Sequence, residues 1–188
     1  MTVELTAADA ETAFTRRDGP IGLLTADAPA LAAACHAMAR RFHRGGRLIA
    51  FGTGCSAADA AHVVVEFVHP VIIGKRALPA LSLPGGSAGF TAELGLFGEA
   101  EDIALAIAPD GGDEAVADAL AAARERGLLT VALLGGAVDG PVALLPDLDH
   151  VIAVHSDDPR IVREAQVTSY HVLWELVHVF LDAPEVLA

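Results

Sequence analysis

The side chains best suited to chemistry are His62 and Glu66, which stand four residues apart in a segment with a helical pattern. In a helix this spacing places both side chains on one face, so an imidazole and a carboxylate point the same way. The segment follows an apolar strand and a glycine turn, and a helix N-terminus attracts anions and is a place for chemistry. A core histidine and a surface carboxylate fit the same pattern, so both interpretations stay open.

The elements that would position these residues are strands and helices in alternation, which is typical of a parallel sheet covered on both faces. Predicted strands lie at 47–52, 78–83, 103–108, 129–134 and 150–155. Predicted helices lie at 25–44, 56–68, 88–98, 113–126 and 160–181. Ser56 and Asp113 are expected N-caps, and Gly127 ends its helix. We therefore predict one α/β domain, flavodoxin-like or Rossmann-like, with five parallel strands over residues 25–188, after an N-terminal extension of residues 1–24.

The last predicted helix is apolar nearly all round between His171 and Leu181. Such a helix must be covered on more than one side. A subunit interface would cover it, and so would a position between the sheet and the 25–44 helix of the same chain.

Composition excludes several classes of function. The chain has 188 residues, of which 53% are apolar, and a net charge of −13, which argues against a nucleic-acid partner. No apolar run is long enough for a membrane span. The first residues lack the basic start of an export signal, so we expect a cytoplasmic chain. Cys35 and Cys55 have no CxxC spacing, which argues against a disulfide framework or a structural zinc knuckle.

The order of strand, glycine turn, Ser56 and a helix with Asp59, His62 and Glu66 resembles the sedoheptulose-7-phosphate isomerase group of the sugar isomerase (SIS) superfamily. The resemblance covers about residues 25–182 and includes a late helix with His171. It implies an SIS domain that binds a sugar or sugar derivative. It also implies a homodimer or homotetramer whose active sites are shared between subunits, with His171 contributed across an interface.

The resemblance also implies roles for single residues. His62, Glu66 and His171 match metal ligands, and two imidazoles with one carboxylate suit a divalent ion such as zinc. Glu66 and His171 also match the acid–base pair that aldose–ketose isomerisation needs. The turn residues Thr53, Gly54 and Ser56 match positions that contact the substrate.

Two departures from the family pattern affect the expected site. Where the family has Ser-Thr-Ser-Gly-Asn-Ser to hold phosphate, this chain has Ala108-Pro-Asp-Gly-Gly-Asp113. Asp110 and Asp113 would repel a phosphate by roughly 4 kcal/mol per charge pair at about 4 Å and an effective dielectric of 20. At the position of a fourth metal ligand stands Arg163, which cannot coordinate a cation. Glu164 is a candidate replacement.

The sequence therefore predicts a divergent isomerase of the phosphoheptose isomerase type, with an altered phosphate loop. The main alternative is a non-catalytic SIS protein that binds a sugar derivative or regulates. A further alternative is an accessory protein in the maturation of a metal centre, such as that of nickel–iron hydrogenase.

Overall fold

The centre of the protein is a sheet of five parallel strands. The structure, a computed structural model, describes residues 6–86, 89–136 and 140–187. The strands are β1 (Leu48–Phe51), β2 (Ala80–Ser82), β3 (Ile103–Ala108), β4 (Leu129–Gly135) and β5 (His150–Val154). Their spatial order is β2-β1-β3-β4-β5, which is the flavodoxin-like order. The predicted fold class and all five predicted strands are confirmed.

The helices cover both faces of this sheet. They are α1 (Ala7–Thr15), α2 (Asp18–Ala26), α3 (Ala28–His43), α4 (Ser56–Val68), α5 (Gly89–Phe97), α6 (Glu114–Glu125) and α7 (Pro159–Leu181). Strand side chains alternate between faces, so Leu48 and Ala50 pack with α3, α4 and α7. Ile49 and Phe51 pack with α5 and α6 on the other face. Residue 88, the predicted start of α5, lies outside the described residues.

The N-terminal part contains more helix than the sequence predicted. The expected helix 25–44 is interrupted, because α2 ends at Ala26 and α3 begins at Ala28. Pro29 lies in the first turn of α3, where its missing N–H is tolerated. The boundary after residue 24 falls inside α2 and stays a prediction, and residues 1–5 lie outside the described ones.

Within the described residues, no single helix is both long and apolar enough to cross a bilayer. The bent pair Ala7–Ala26 and Ala28–His43 passes by length and composition alone, with a bend of 61°.

One side of the apolar surface of α7 is covered within the chain. Four of its buried side chains join the cluster that contains α3 and α4: Tyr170, Leu173, Trp174 and Val177. This confirms the intrachain alternative for that face. Val179 on the same helix is 53% exposed.

The loops that bear the predicted site meet at the carboxyl ends of β1 and β3. These strands are neighbours in the sheet, while the helices after them, α4 and α6, lie on opposite faces. Ligands bind at such a point in open α/β sheets. Gly52 at the end of β1 has no room for a side chain, since an added Cβ would lie 2.6 Å from the Ile107 carbonyl oxygen. The start of the loop after β1 thus lies directly against the end of β3.

Candidate active site between α4 and α7

Three predicted metal ligands converge in one chain. Glu66 Oε1 lies 3.2 Å from His62 Nε2 and 3.9 Å from His171 Nε2. The Glu66 side chain is only 13% exposed, whereas each histidine is 45% exposed. The carboxylate therefore lies at the base of an open group with an imidazole on either side. A neighbouring subunit is not needed to supply His171, contrary to our expectation.

The donor set fits a small divalent cation. The possible ligand atoms of His62, Glu66 and His171 all lie within 4.8 Å of one another. Tetrahedral zinc bonded to nitrogen and oxygen at its usual distances holds neighbouring donors roughly 3.4 Å apart. The distances from Glu66 to the two histidine nitrogens, 3.2 and 3.9 Å, lie on either side of this value. The carboxylate is therefore placed where it could share an ion with both imidazoles.

Tyr170 is a member of this group that the sequence analysis missed. Its hydroxyl lies 2.7 Å from His62 Nδ1, on the ring edge away from Glu66. Burial, reinforced by the nearby carboxylates of Asp59 and Glu66, raises the pKa of Tyr170 to about 12. The phenol therefore keeps its proton at neutral pH. Its place directly before His171 was the available signal, but a lone aromatic residue in an apolar helix is normally core.

Arg163 does not take part in the metal group. Its guanidinium makes a two-point ion pair with Asp59 of α4. Its Nη2 also donates to the Cys55 carbonyl oxygen at 3.5 Å. The Asp59 carboxylate raises the pKa of the guanidinium. This position therefore ties α7 to the start of α4, and the site has three protein donors among the described residues.

The expected replacement ligand, Glu164, points elsewhere. Its carboxylate binds Arg17, the residue directly before α2, with contacts of 2.5 and 2.8 Å. The proposal that Glu164 completes the metal site is wrong. The reason is that the turn between α1 and α2, two helices that the sequence analysis did not predict, offers this carboxylate a cation.

The turn before α4 differs in one detail from the prediction. Cys55 already has helical backbone angles and is the N-cap residue, and no side chain caps the helix there. Ser56 is the first helical residue and is 4% exposed, so its predicted N-cap role is wrong. Thr53 and Gly54 are exposed at the loop tip, and Gly54 has φ +57. Substrate contacts by Thr53, Gly54 and Ser56 stay predictions.

The acidic loop after β3 is organised by its own carboxylates. Asp113 caps α6, because its Oδ1 accepts a hydrogen bond from the Val116 N–H at 3.0 Å. This confirms the predicted N-cap. Asp110 Oδ1 accepts from the Gly112 N–H at 3.3 Å. Backbone N–H groups that a phosphate would use at this helix N-terminus are thus bound by carboxylates of the chain itself.

Known proteins are similar to this chain in both sequence and fold. The family described as "SIS domain" matches residues 22–135. A phosphoheptose isomerase from Pelobacter propionicus is 34% identical over 189 residues, covering 93% of this chain and 98% of that one. One from a Geobacter species is 35% identical and covers 79% of this chain and 83% of its own length.

Solved structures agree in fold. A phosphoheptose isomerase from Francisella tularensis superposes with a TM-score of 0.79 at 24% identity, covering 92% of this chain and 98% of that one. One from Neisseria gonorrhoeae gives 0.78 at 21% identity, covering 89% and 96%. At these identities the likeness shows the fold. Together with the sequence relatives, it establishes that the chain belongs to the phosphoheptose isomerase family of SIS domain proteins.

Proposed function

We propose that this protein is an aldose–ketose isomerase of the phosphoheptose isomerase type, with an altered phosphate loop. The observation that carries the proposal is the position of Glu66 between His62 and His171. The names of the sequence relatives support a phosphorylated heptose as the substrate class. The two histidines of the site are exposed, so a sugar can reach it from solvent.

Glu66 is the proposed base. It takes the proton from the carbon next to the substrate carbonyl, and the electron pair left behind forms the carbon–carbon double bond of an enediolate. Return of the proton to the neighbouring carbon completes the exchange of aldose and ketose. A carboxylate that is mostly buried but open on one side suits this task, because water is partly excluded and the substrate is admitted.

His171 is the proposed acid, and it moves the proton between the two substrate oxygens. Its Nε2 lies 3.9 Å from Glu66 Oε1, so one sugar carbon and its oxygen can lie beside both groups. We further propose that His62, Glu66 and His171 can hold a divalent ion such as zinc, which would supply positive charge to the substrate oxygens. While His171 Nε2 is a ligand of the ion it carries no proton, so the proton would then move between the two substrate oxygens through water.

The phosphate end of the substrate requires a different site from that of the family pattern. Asp113 occupies the N-terminus of α6 and Asp110 lies in the same loop, so this loop carries negative charge where an anion would bind. We infer weak binding of phosphate there and more efficient use of a sugar without phosphate, or with phosphate held elsewhere.

Solvent-deuterium incorporation tests the proposal. The protein, loaded with zinc, is incubated in heavy water with sedoheptulose 7-phosphate or with unphosphorylated sedoheptulose, and NMR follows the carbon next to the carbonyl. We expect incorporation with at least one sugar, and loss of about a thousandfold or more in Glu66→Gln. The control is Glu175→Gln, which removes an exposed carboxylate one turn after His171. Equal rates for Glu66→Gln and the natural protein would contradict the role of Glu66.

The acidic loop also favours a second candidate, a non-catalytic protein that binds a sugar derivative. In that case the natural protein binds sugars in calorimetry but incorporates no deuterium from solvent, with or without zinc. The same two sugars and the same samples therefore separate the two candidates.

We also propose a homodimer or homotetramer. Apolar side chains that lie exposed on α4, the segment after it and α7 support this: Val65, Val68, Val71, Ile72, Ile73 and Val179. Large exposed apolar patches are typical of protein–protein contacts. Light scattering coupled to size exclusion should give a mass of two or four chains, and a single-chain mass at all concentrations would contradict the proposal.

A further inference from the structure

The hydroxyl of Tyr170 has a polar partner although its residue lies in the core. Tyr170 is fully buried, and its ring meets those of His62 and His171 edge-on, with centroids 5.5 and 4.9 Å away. The phenol oxygen lies 2.7 Å from His62 Nδ1. A phenylalanine would fill the same space in the core, so the hydroxyl itself needs an explanation.

The contact with Tyr170 is linked to which of the two His62 ring nitrogens carries the proton. A neutral imidazole has one N–H donor and one acceptor nitrogen. If the phenol donates to Nδ1, the proton of His62 is on Nε2, which faces Glu66 Oε1 at 3.2 Å. A chain of hydrogen bonds then runs from Tyr170 through His62 to Glu66, and both His62 nitrogens have a partner.

Metal binding at Nε2 requires the opposite arrangement. Nε2 must then offer its lone pair, so the proton of the neutral ring is on Nδ1 and needs an acceptor. The phenol oxygen can be that acceptor, because a hydroxyl both donates and accepts. A carboxylate or a carbonyl at this place could only accept and would favour the metal-bound form alone.

We propose that Tyr170 is a positioning residue for His62, whose hydroxyl donates to Nδ1 in the metal-free site and accepts from Nδ1 when Nε2 binds a cation. The inference rests on the proposed metal site and deepens it. Through this contact the chain keeps His62 oriented in both states. Partners of this kind typically contribute 10–100-fold to metal affinity.

Zinc affinity is the first test. Tyr170→Phe keeps the ring and removes the hydroxyl, and competition calorimetry at one near-neutral pH should show zinc bound about 10–100-fold more weakly than by the natural protein. The matched control is Ser169→Ala. It removes a buried hydroxyl at the preceding residue, which donates only to the Ala165 carbonyl of its own helix. We expect its zinc affinity to change less than about twofold, and thermal unfolding shows whether both variants fold.

Nitrogen NMR of isotope-labelled histidine is the second test, with the His62 signals identified by their absence in His62→Gln. In the natural protein we expect the His62 proton on Nε2 without metal and on Nδ1 with zinc. A proton on Nδ1 before metal is added would overturn the inference. So would an unchanged zinc affinity in Tyr170→Phe, or an absence of zinc uptake by the natural protein.

These outcomes are distinct from failure of the proposed function. If the natural protein isomerises a sugar but Tyr170→Phe binds zinc normally, only the role of Tyr170 is wrong. If Tyr170→Phe loses zinc affinity but the natural protein incorporates no deuterium, the role of Tyr170 stands and the isomerase proposal is wrong.

Discussion

Arg163 and Asp59 join α7 to α4 by two parallel contacts, Nε to Oδ2 at 2.9 Å and Nη2 to Oδ1 at 3.1 Å. The pair lies beside the site, since Asp59 and His62 are three residues apart on α4. A two-point contact between a guanidinium and a carboxylate fixes the relative orientation of the elements that carry them. The position that the family pattern assigns to a ligand thus serves here to hold two helices together.

Removing this pair should destabilise the fold. Arg163→Ala leaves the Asp59 carboxylate, only 11% exposed, without its cation. We expect a loss of about 1–2 kcal/mol in the free energy of unfolding, less than for a fully buried pair because solvent screens the half-exposed guanidinium. The control is Arg160→Ala, which removes an arginine paired with Asp158 at the start of the same helix, α7. We expect a smaller loss of stability in this control. Equal losses in the free energy of unfolding of the two variants, measured by urea denaturation, would contradict the special role of Arg163.

Neutralising the acidic loop should increase affinity for phosphorylated sugars. In Asp110→Ser with Asp113→Ser two negative charges disappear, while serine at residue 113 still caps α6. We expect calorimetry to show sedoheptulose 7-phosphate bound about tenfold tighter or more. Asp118→Ser, which removes an exposed charge within α6, should have little effect. If the double variant and the natural protein bind equally, the phosphate does not lie at this loop.

The two cysteines should differ sharply in reactivity. Burial raises the pKa of the Cys35 thiol to about 12, whereas Cys55 is exposed. Because the thiolate is the reactive form, the native protein should show one fast thiol per chain with a disulfide reagent, and two after unfolding. Cys55→Ser should show none in the native state. Rapid reaction of both thiols in the folded natural protein would be incompatible with the burial of Cys35.

His150 should make stability depend on pH. Burial lowers its pKa, and the Asp149 carboxylate opposes the effect in part. The unfolded chain then binds more protons than the folded one, so stability is full above the ordinary histidine pKa of about 6.5 and falls as pH drops through it. In His150→Gln this contribution is absent. As the pH falls, the natural protein should therefore lose more stability than His150→Gln. A stability difference that does not change with pH would refute the assignment.

The strands β1, β3 and β4 were predictable because they are buried on both faces. β3 is a continuous apolar run and β4 is apolar apart from Thr130, and such runs between turn signals have few alternative structures. The spacing of His62 and Glu66 likewise predicted their common face. His171 entered the site only through the resemblance, since it is more than a hundred residues away along the chain and only tertiary packing brings it near.

The contacts that were missed all depend on tertiary partners. Nothing local to Glu164 indicates that Arg17 will bind it, and nothing local to Tyr170 indicates His62. The Ser56 error has a different cause. The backbone enters the helix one residue earlier than the Ser signature indicated, and the side chain that should have capped the helix is instead buried.

The site takes its width from the core rather than from its own side chains. His62 and Glu66 are carried by α4 and His171 by α7, and buried apolar residues between sheet and helices, among them Val63, Phe67 and Leu173, hold these two helices in place. A change of volume there alters the gap between the imidazoles without touching them. In the proposed metal site, preference among ions of different radius would therefore follow from the hydrophobic packing. Core variants would then alter ion selectivity while every donor atom is retained.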